Sequence, residues 1–279
     1  MSTEPRDSLP LLPPLGAATL LRALFKRPAP SPDGIAPASY RLDGIDPLQV
    51  RRYNEAFGFP GETIPLTFLY LLAQRAQLAA MLERPIPFRI PGLIHTENRL
   101  AMHGPLALTA PLTLTTSLHL PPAAPNGALS CVLETRAFDG ERLAFDCDST
   151  YLIRRGSRTP RGAASSPQAP SGAALGQWRI ASDAGRRYAA LSGDWNPIHL
   201  WPWSARLMGM QRPIIHGAPT LARACALLQA ASGSEIASVW CRFRHPVALG
   251  AQVTLLHGGR AGSFVAMCDG RPALEGQLT

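Results

Sequence analysis

Between residues 65 and 81, apolar side chains recur at helical spacing. Leu66, Leu69, Tyr70, Leu72, Leu78 and Met81 share one face, which predicts a helix over Pro65–Met81. From residue 95 the period changes. His95–Met102, Ala107–Leu120, Ala128–Phe138 and Leu143–Ile153 read as strands, and Thr, Ser and Leu alternate with period two in Thr113–Leu120. Pro121–Gly127 and Asp139-Gly140 supply turns. A second stretch repeats this order. A strand at Trp178–Ala181 precedes a short helix capped by Ser182 or Asp183, and a Gly/Asn/Pro loop follows at Gly193–Pro197. Next comes an Ala/Leu-rich helix, Ala218–Ala230, with Gly217 before it and Pro219 in its first turn. Strands at Ser238–Phe243, Ala251–His257, Ser263–Asp269 and Pro272–Gln277 complete it, with hairpin signals at Gly258-Gly259 and Asp269-Gly270.

Two stretches rich in Pro, Gly, Ser and Ala punctuate the chain, Pro28–Ser39 and Gly156–Gly176. They predict an N-terminal segment (1–34), a first domain (35–155), a linker (156–176) and a second domain (177–279). One helix followed by several antiparallel strands, twice over, is an α+β pattern in which each sheet can wrap its helix. Residue-level repetition between the halves is not evident, so duplication rests on element order.

Composition narrows the class. With 279 residues, 46% of them hydrophobic, the chain can build a real core without staples. The net charge is +8 and nearly all of it is Arg, Lys26 being the lone lysine. That raises nucleic acid, an anionic membrane or a phosphorylated ligand as partners. No basic run interleaved with aromatics favours nucleic acid. A solvated Arg-rich surface accounts for the charge as readily as a phosphate-bearing ligand does. Cys131, Cys147, Cys225, Cys241 and Cys268 are odd in number and form no CxxC pair, which argues against a disulfide framework and a zinc site. Buried thiols in a reducing, cytoplasmic protein are expected. Met1–Pro10 carries Glu4 and Asp7 and lacks a basic leader. Leu15–Leu24 is too short to span a bilayer, and Ile64–Leu82 contains Gln74, Arg75 and Gln77, so a buried helix is expected there and a membrane span is not.

The chemistry concentrates in Tyr188-Ala-Ala-Leu-Ser-Gly-Asp-Trp-Asn-Pro-Ile-His199. Pro197 biases Asn196 toward an extended conformation, and the Asn side chain can close a local turn. Such a loop can hold Asp194 and His199 side by side, a natural pair for moving a proton near neutral pH. Taken alone, the segment reads equally well as a plain turn with His199 filling a gap. A second segment, Pro213-Ile-Ile-His-Gly217, leads into the Ala218–Ala230 helix. A glycine there can offer its backbone N–H, aided by the helix dipole, to a ligand oxygen.

Together the two segments resemble the MaoC-like, R-specific enoyl-CoA hydratase (hydratase 2) family. Tyr188, Ser192, Gly193, Asp194, Asn196, Pro197, His199, His216 and Gly217 all match its motif. At about 5% usage per residue type, its five fixed residues arise in register by chance in well under about one such chain in a thousand. Phe243–Gly250 also resembles the family's strand and turn after the central helix. The resemblance covers residues 178–279 well. The first half looks like the degenerate first domain of two-domain members, on the weaker ground of Phe88–His95 and the helix before it, and it has no copy of the loop. The resemblance implies a double hot-dog fold, two antiparallel sheets each wrapping a central helix, as a pseudo-dimer in one chain. It implies interconversion of (R)-3-hydroxyacyl and trans-2-enoyl thioesters of coenzyme A or acyl carrier protein, without metal or redox cofactor. Coenzyme A or phosphopantetheine would enter only as part of the substrate, and a homodimer is allowed. Asp194 would remove the Cα proton and His199 would protonate the departing hydroxyl, or the reverse. The Gly217 amide would meet the thioester oxygen. Asn196 would orient the loop or the thioester arm, and His216 would brace it. Arg206, Arg212, Arg242 and Arg244 are candidates for phosphate, each equally readable as a surface arginine. His95 and His103 are expected to be structural, and an apolar groove beside Ile64–Leu82 to take the acyl chain. Thioester hydrolysis and binding without turnover are the alternatives.

Overall fold

The computed structural model describes residues 6–31, 34–153 and 172–278. A short helix α1 (Ala17–Phe25) precedes two halves of similar element order. The first half runs β1 (Ala38–Leu42), α2 (Pro47–Phe57), α3 (Leu69–Glu83), β2 (Ile94–Met102), β3 (Leu112–His119), β4 (Leu129–Asp139) and β5 (Arg142–Ile153). The second runs β6 (Ala174–Arg179), α4 (Ala184–Ser192), α5 (Pro202–Leu207), α6 (Gly217–Ser232), β7 (Ser238–Phe243), β8 (Gln252–His257), β9 (Ser263–Cys268) and β10 (Arg271–Leu278). Most of the expected linker lies outside the described residues, and its last three, 174–176, already belong to β6.

The strands form one continuous antiparallel sheet in the order β1-β3-β4-β5-β2-β7-β10-β9-β8-β6. Each half contributes five strands in mirrored order, so a local two-fold relates them. The seam is β2 against β7, with Glu97 opposite Arg242, Asn98 opposite Cys241 and Leu100 opposite Val239. The expected pair of wrapped sheets is therefore present as a double hot-dog, fused edge to edge along that seam.

The central helices are buried by their composition. α3 is read from sequence as having one apolar face, yet Leu69–Ala73 and Ala76–Leu82 are all buried. Small alanines let the sheet approach, and each buried leucine contributes about 2 kcal/mol. Replacing Leu71, 1% exposed, with Asp would break this packing. α6 is likewise buried at Leu221, Ala222, Ala224, Cys225, Ala226 and Leu228.

Several elements differ from expectation. β3 begins at Leu112 rather than Ala107, because Ala110 N–H closes a turn onto Ala107 O and Pro111 offers no N–H to a ladder. β6 lies four residues before the expected strand start, where it pairs with β8. β1, α2 and α5 are additional, and β1 starts inside the stretch taken as a break. α2 carries clear punctuation: Asp46 accepts from Leu48 N–H, Pro47 sits at the first turn, and Gly58 ends the helix at φ 78°.

α2 and α4 occupy equivalent places in the two halves, and superposing them exposes a short repeat that element order alone does not show. Arg51-Arg52-Tyr53-x4-Gly58 corresponds to Arg186-Arg187-Tyr188-x4-Gly193. The packing is crossed. Arg223 on α6 donates to the Phe57 carbonyl of α2 at 2.7 Å, whereas the turn after α4 is met by α3 of the first half.

Candidate active site

Ser192 ends α4, and Gly193 follows at φ 81°, its N–H bonded to Ala189 O. A side chain at 193 would be strained there, and its Cβ would lie 2.5 Å from the Leu15 carbonyl oxygen. The loop then holds itself by short-range hydrogen bonds. Asp194 N–H donates to Ser192 Oγ at 3.2 Å, Asn196 N–H to Asp194 Oδ1 at 3.2 Å, and Ile198 N–H to Asn196 Oδ1 at 3.3 Å. Asn196 thus caps the 3-10 turn Pro197–His199, with Pro197 fixing its first φ. Successive Asx turns fold the chain tightly enough to present Asp194 and His199 from one side.

His199 Nδ1 is 2.9 Å from the Ile214 carbonyl oxygen. A carbonyl only accepts, so Nδ1 carries the hydrogen and Nε2 of the neutral ring keeps its lone pair. His216 caps α6. Its Nε2 donates to the Asp194 backbone oxygen at 3.2 Å, lies 3.7 Å from Oδ2, and its ring stacks on His199 at 3.5 Å. His216 therefore touches both members of the pair. Among the described residues no direct hydrogen bond joins Asp194 to His199.

A residue from the other half completes this cluster. Gln74 of α3 donates from Nε2 to Asp194 Oδ2 at 2.9 Å. Burial by itself would raise the Asp194 pKa; the His216 and His199 rings, the Gln74 amide and the Asn196 N–H outweigh it and hold the carboxyl below its ordinary range. Burial pulls His199 below its ordinary value, opposed by Asp194 and the Ile214 carbonyl. Burial and the adjacent His199 push His216 down to about 3. At neutral pH the cluster is one carboxylate and two neutral imidazoles.

Gly217 opens α6, whose first N–H groups have no intrahelical acceptor. A Cβ at 217 would lie 2.6 Å from the Phe243 ring, so only glycine lets the helix start approach that closely.

The other sequence candidates divide. Arg242 is held elsewhere: its Nε donates to Glu97 at 2.6 Å across the seam, and its guanidinium lies over Trp240. Arg244 is paired with Glu275 at 2.8 Å. Strand alternation puts both on the face away from α6, which is why neither reaches the loop. Arg206 and Arg212 are exposed on α5 and in the turn after it. His103 lies past the far end of β2, 2.6 Å from Asp146. His95 is stacked against Tyr151 at 4.7 Å and Tyr70 at 5.5 Å, and burial lowers its pKa to about 4.

The space beside α3 also differs from expectation. The cavity between Tyr70, His95, Ala218 and Phe243 measures about 10 Å³, room for one water and not for an acyl chain. A groove of about 560 Å³ lies instead on the outer side of the loop, where Arg52, Arg75, Arg187 and Trp195 line it together with Leu15 and Gly193. Arg52 and Arg187 are matching positions of the short repeat and Arg75 belongs to α3, so the fold brings together arginines from three separate helices. Among the described residues no three His, Cys, Asp or Glu side chains are arranged to hold a metal, and no helix is long and apolar enough to cross a membrane.

Comparison with known proteins agrees with this geometry. Residues 169–258 match the family described as MaoC like domain. The 3-hydroxyacyl-thioester dehydratase X of Mycobacterium tuberculosis is 31% identical over 232 residues, covering 81% of this chain and 78% of that protein. The crystal structure of HtdX from the same organism superposes with a TM-score of 0.72 at 28% identity, over 85% of this chain and 98% of that one. A MaoC-like dehydratase from Phytophthora capsici shares the fold, with a TM-score of 0.71 at 18% identity over 90% and 98% of the two chains. By this likeness, and by the loop and helix entry it shares, the chain belongs to the MaoC-like dehydratase family.

Proposed function

We propose that the chain interconverts (R)-3-hydroxyacyl and trans-2-enoyl thioesters of coenzyme A or acyl carrier protein. The observation that carries this reading is the loop: a buried carboxylate, Asp194, and an imidazole whose Nε2 is a free base, held on one side at the N-terminus of α6. The named activity of the Mycobacterium tuberculosis relative supports it.

In dehydration the Cα–H bond breaks toward a base, and its electrons become the second C2–C3 bond. The C3–O bond breaks as the hydroxyl takes a proton and departs as water. Charge builds on the thioester oxygen, where the Gly217 N–H and the α6 dipole stabilise it. Asp194 and His199 divide the two transfers, one taking the Cα proton and the other protonating the hydroxyl, in either assignment. The ring is neutral at rest and its N–H is committed to Ile214. The proton delivered to the hydroxyl is then the one lifted from Cα, passed through the pair. Both groups stand on one face, so the transfer is syn; the R label comes from the family.

Because the thioester carbonyl is itself the electron sink, the reaction needs no metal or redox cofactor. The groove can take the phosphates of the thioester arm on Arg52, joined by Arg187 if it leaves its ion pair with Asp183, with Trp195 at its edge. The five free, buried cysteines suit a reducing compartment, and we place the enzyme in the cytoplasm. The test is to follow crotonyl-CoA and longer enoyl-CoAs by loss of the enoyl absorbance. Water addition without release of free thiol, unaffected by EDTA, is expected. Thiol release would make the protein a thioesterase, and binding without turnover would make it a carrier.

A further inference from the structure

We propose that Gln74, from the half that lacks the loop, is a positioning residue for Asp194: its amide holds Oδ2 of the carboxylate in place. The inference rests on the hydratase reading for its catalytic consequence, but not for its electrostatic one.

The two residues are 120 positions apart and meet at 2.9 Å in a part-buried contact between the halves. α3 is buried at every position from Leu69 to Leu82 except Gln74 and Arg75, which are half-buried, and Gln74 is turned toward the loop. A polar side chain at such a place needs a partner to offset its desolvation. Gln74 has one, and that partner is the reactive carboxylate. The local two-fold sharpens the point. Thr67 and Tyr70 face Ala218 and Leu221 across the cavity at the seam. Counting along each helix from these pairs places Cys225 of α6 where α3 has Gln74. The first half's turn carries Phe59 after Gly58, where the other turn carries Asp194 after Gly193. Polar helix residue and carboxylate occur together, and apolar helix residue and phenyl ring occur together.

The amide's task follows from its chemistry. Asp194 Oδ1 is fixed by the Asn196 N–H, which leaves rotation about the carboxyl open unless Oδ2 is also held. The Gln74 N–H supplies that second point, and a donor to the ionised form lowers the pKa. Loss of the donor raises the folded-state pKa. Gln74→Met keeps the length and removes the donor. Gln74→Glu keeps the shape and sets a second negative charge beside the first, so it should raise the pKa further.

The experiment is a 13C NMR titration of protein labelled at the aspartate carboxyls, with the Asp194 resonance assigned by its absence in Asp194→Asn. The Asp194 titration should move to higher pH in Gln74→Met and further in Gln74→Glu, with circular dichroism unchanged. In parallel, kcat on crotonyl-CoA should fall about tenfold in Gln74→Met, with KM within about twofold, as expected when a reacting group is misaimed rather than binding lost. An Asp194 titration that stays at the wild-type pH in both variants would overturn the proposal, as would a shifted titration with unchanged kcat. If wild-type protein fails to hydrate any enoyl thioester, the functional reading fails while the titration still decides what Gln74 does.

Discussion

The two halves of this molecule share a sheet, a central helix and even a helix ending, yet they treat the residue after that ending in opposite ways. Gly58 and Gly193 both close their helices in the left-handed region, at φ 78° and 81°. In the first half the chain continues into Phe59, which is buried and stacked on Tyr53 at 6.2 Å. In the second it continues into Asp194, whose carboxylate is caged by N–H donors and followed by Asn196, Pro197 and His199. The same scaffold position carries a packed phenyl ring in one case and, under the proposed function, the carboxylate that moves a proton in the other. Crossed packing gives the first half a part in the second half's loop, where Gln74 of α3 meets Asp194.

The largest effect should come from the pair itself. Asp194→Asn and His199→Ala should each lower hydration of crotonyl-CoA by a factor of about 10² to 10⁴ with the fold intact by circular dichroism. Near-normal rates in either would erase the distinction between the halves. Next is the helix entry. Gly217→Ala drives a methyl group into Phe243, so the helix start or the ring must shift, and a loss of about tenfold to a hundredfold in kcat is expected. A loss confined to KM would move the oxyanion contact elsewhere. Smaller is the outer groove. Arg52→Glu with Arg187→Glu should raise KM for the coenzyme A substrate about fivefold to tenfold and leave kcat alone, as befits charge contacts in partly solvated surroundings, and the difference should shrink in high salt. An unchanged KM would send the phosphates by another route. Smallest is the first half's own loop. Phe59→Asp should create no second activity, and His103→Ala should change the rate less than about twofold, since His103 is committed to Asp146. Activity that survives Asp194→Asn once Asp is installed at 59 would show that the first half had kept more than its helix.

How much of this was legible along the chain follows from the range of the interactions. The loop is built from bonds two residues apart, Asn196 to Asp194 and Ile198 to Asn196, and the residue types that make such turns stand in the sequence in order. The double sheet is legible too, because period-two strands and glycine turns are local signals. Gln74 is of another kind. It is visible only as a polar residue interrupting an apolar helix, and the sequence reading uses it solely to argue against a membrane span. Its partner is on the other half, and no local pattern names it. The same limit hides the partners of Arg242 and Arg244. On a strand, one residue's shift exchanges faces, and the carboxylates that hold them, Glu97 and Glu275, come from neighbouring strands. The acyl groove expected beside α3 is filled because helix burial depends on the whole sheet around it, which a single helical face does not report.

The central claim is that one pair on one face, in the second half only, moves a single proton between C2 and the C3 oxygen. Its most direct test is hydration of crotonyl-CoA in D2O, with the product's deuterium and hydroxyl positions read by NMR in wild type and in Asp194→Asn. The account predicts one deuterium at C2, placed syn to a new R hydroxyl at C3, and none of this product above background from the variant. Anti addition, an S centre at C3, or undiminished product from Asp194→Asn would contradict it.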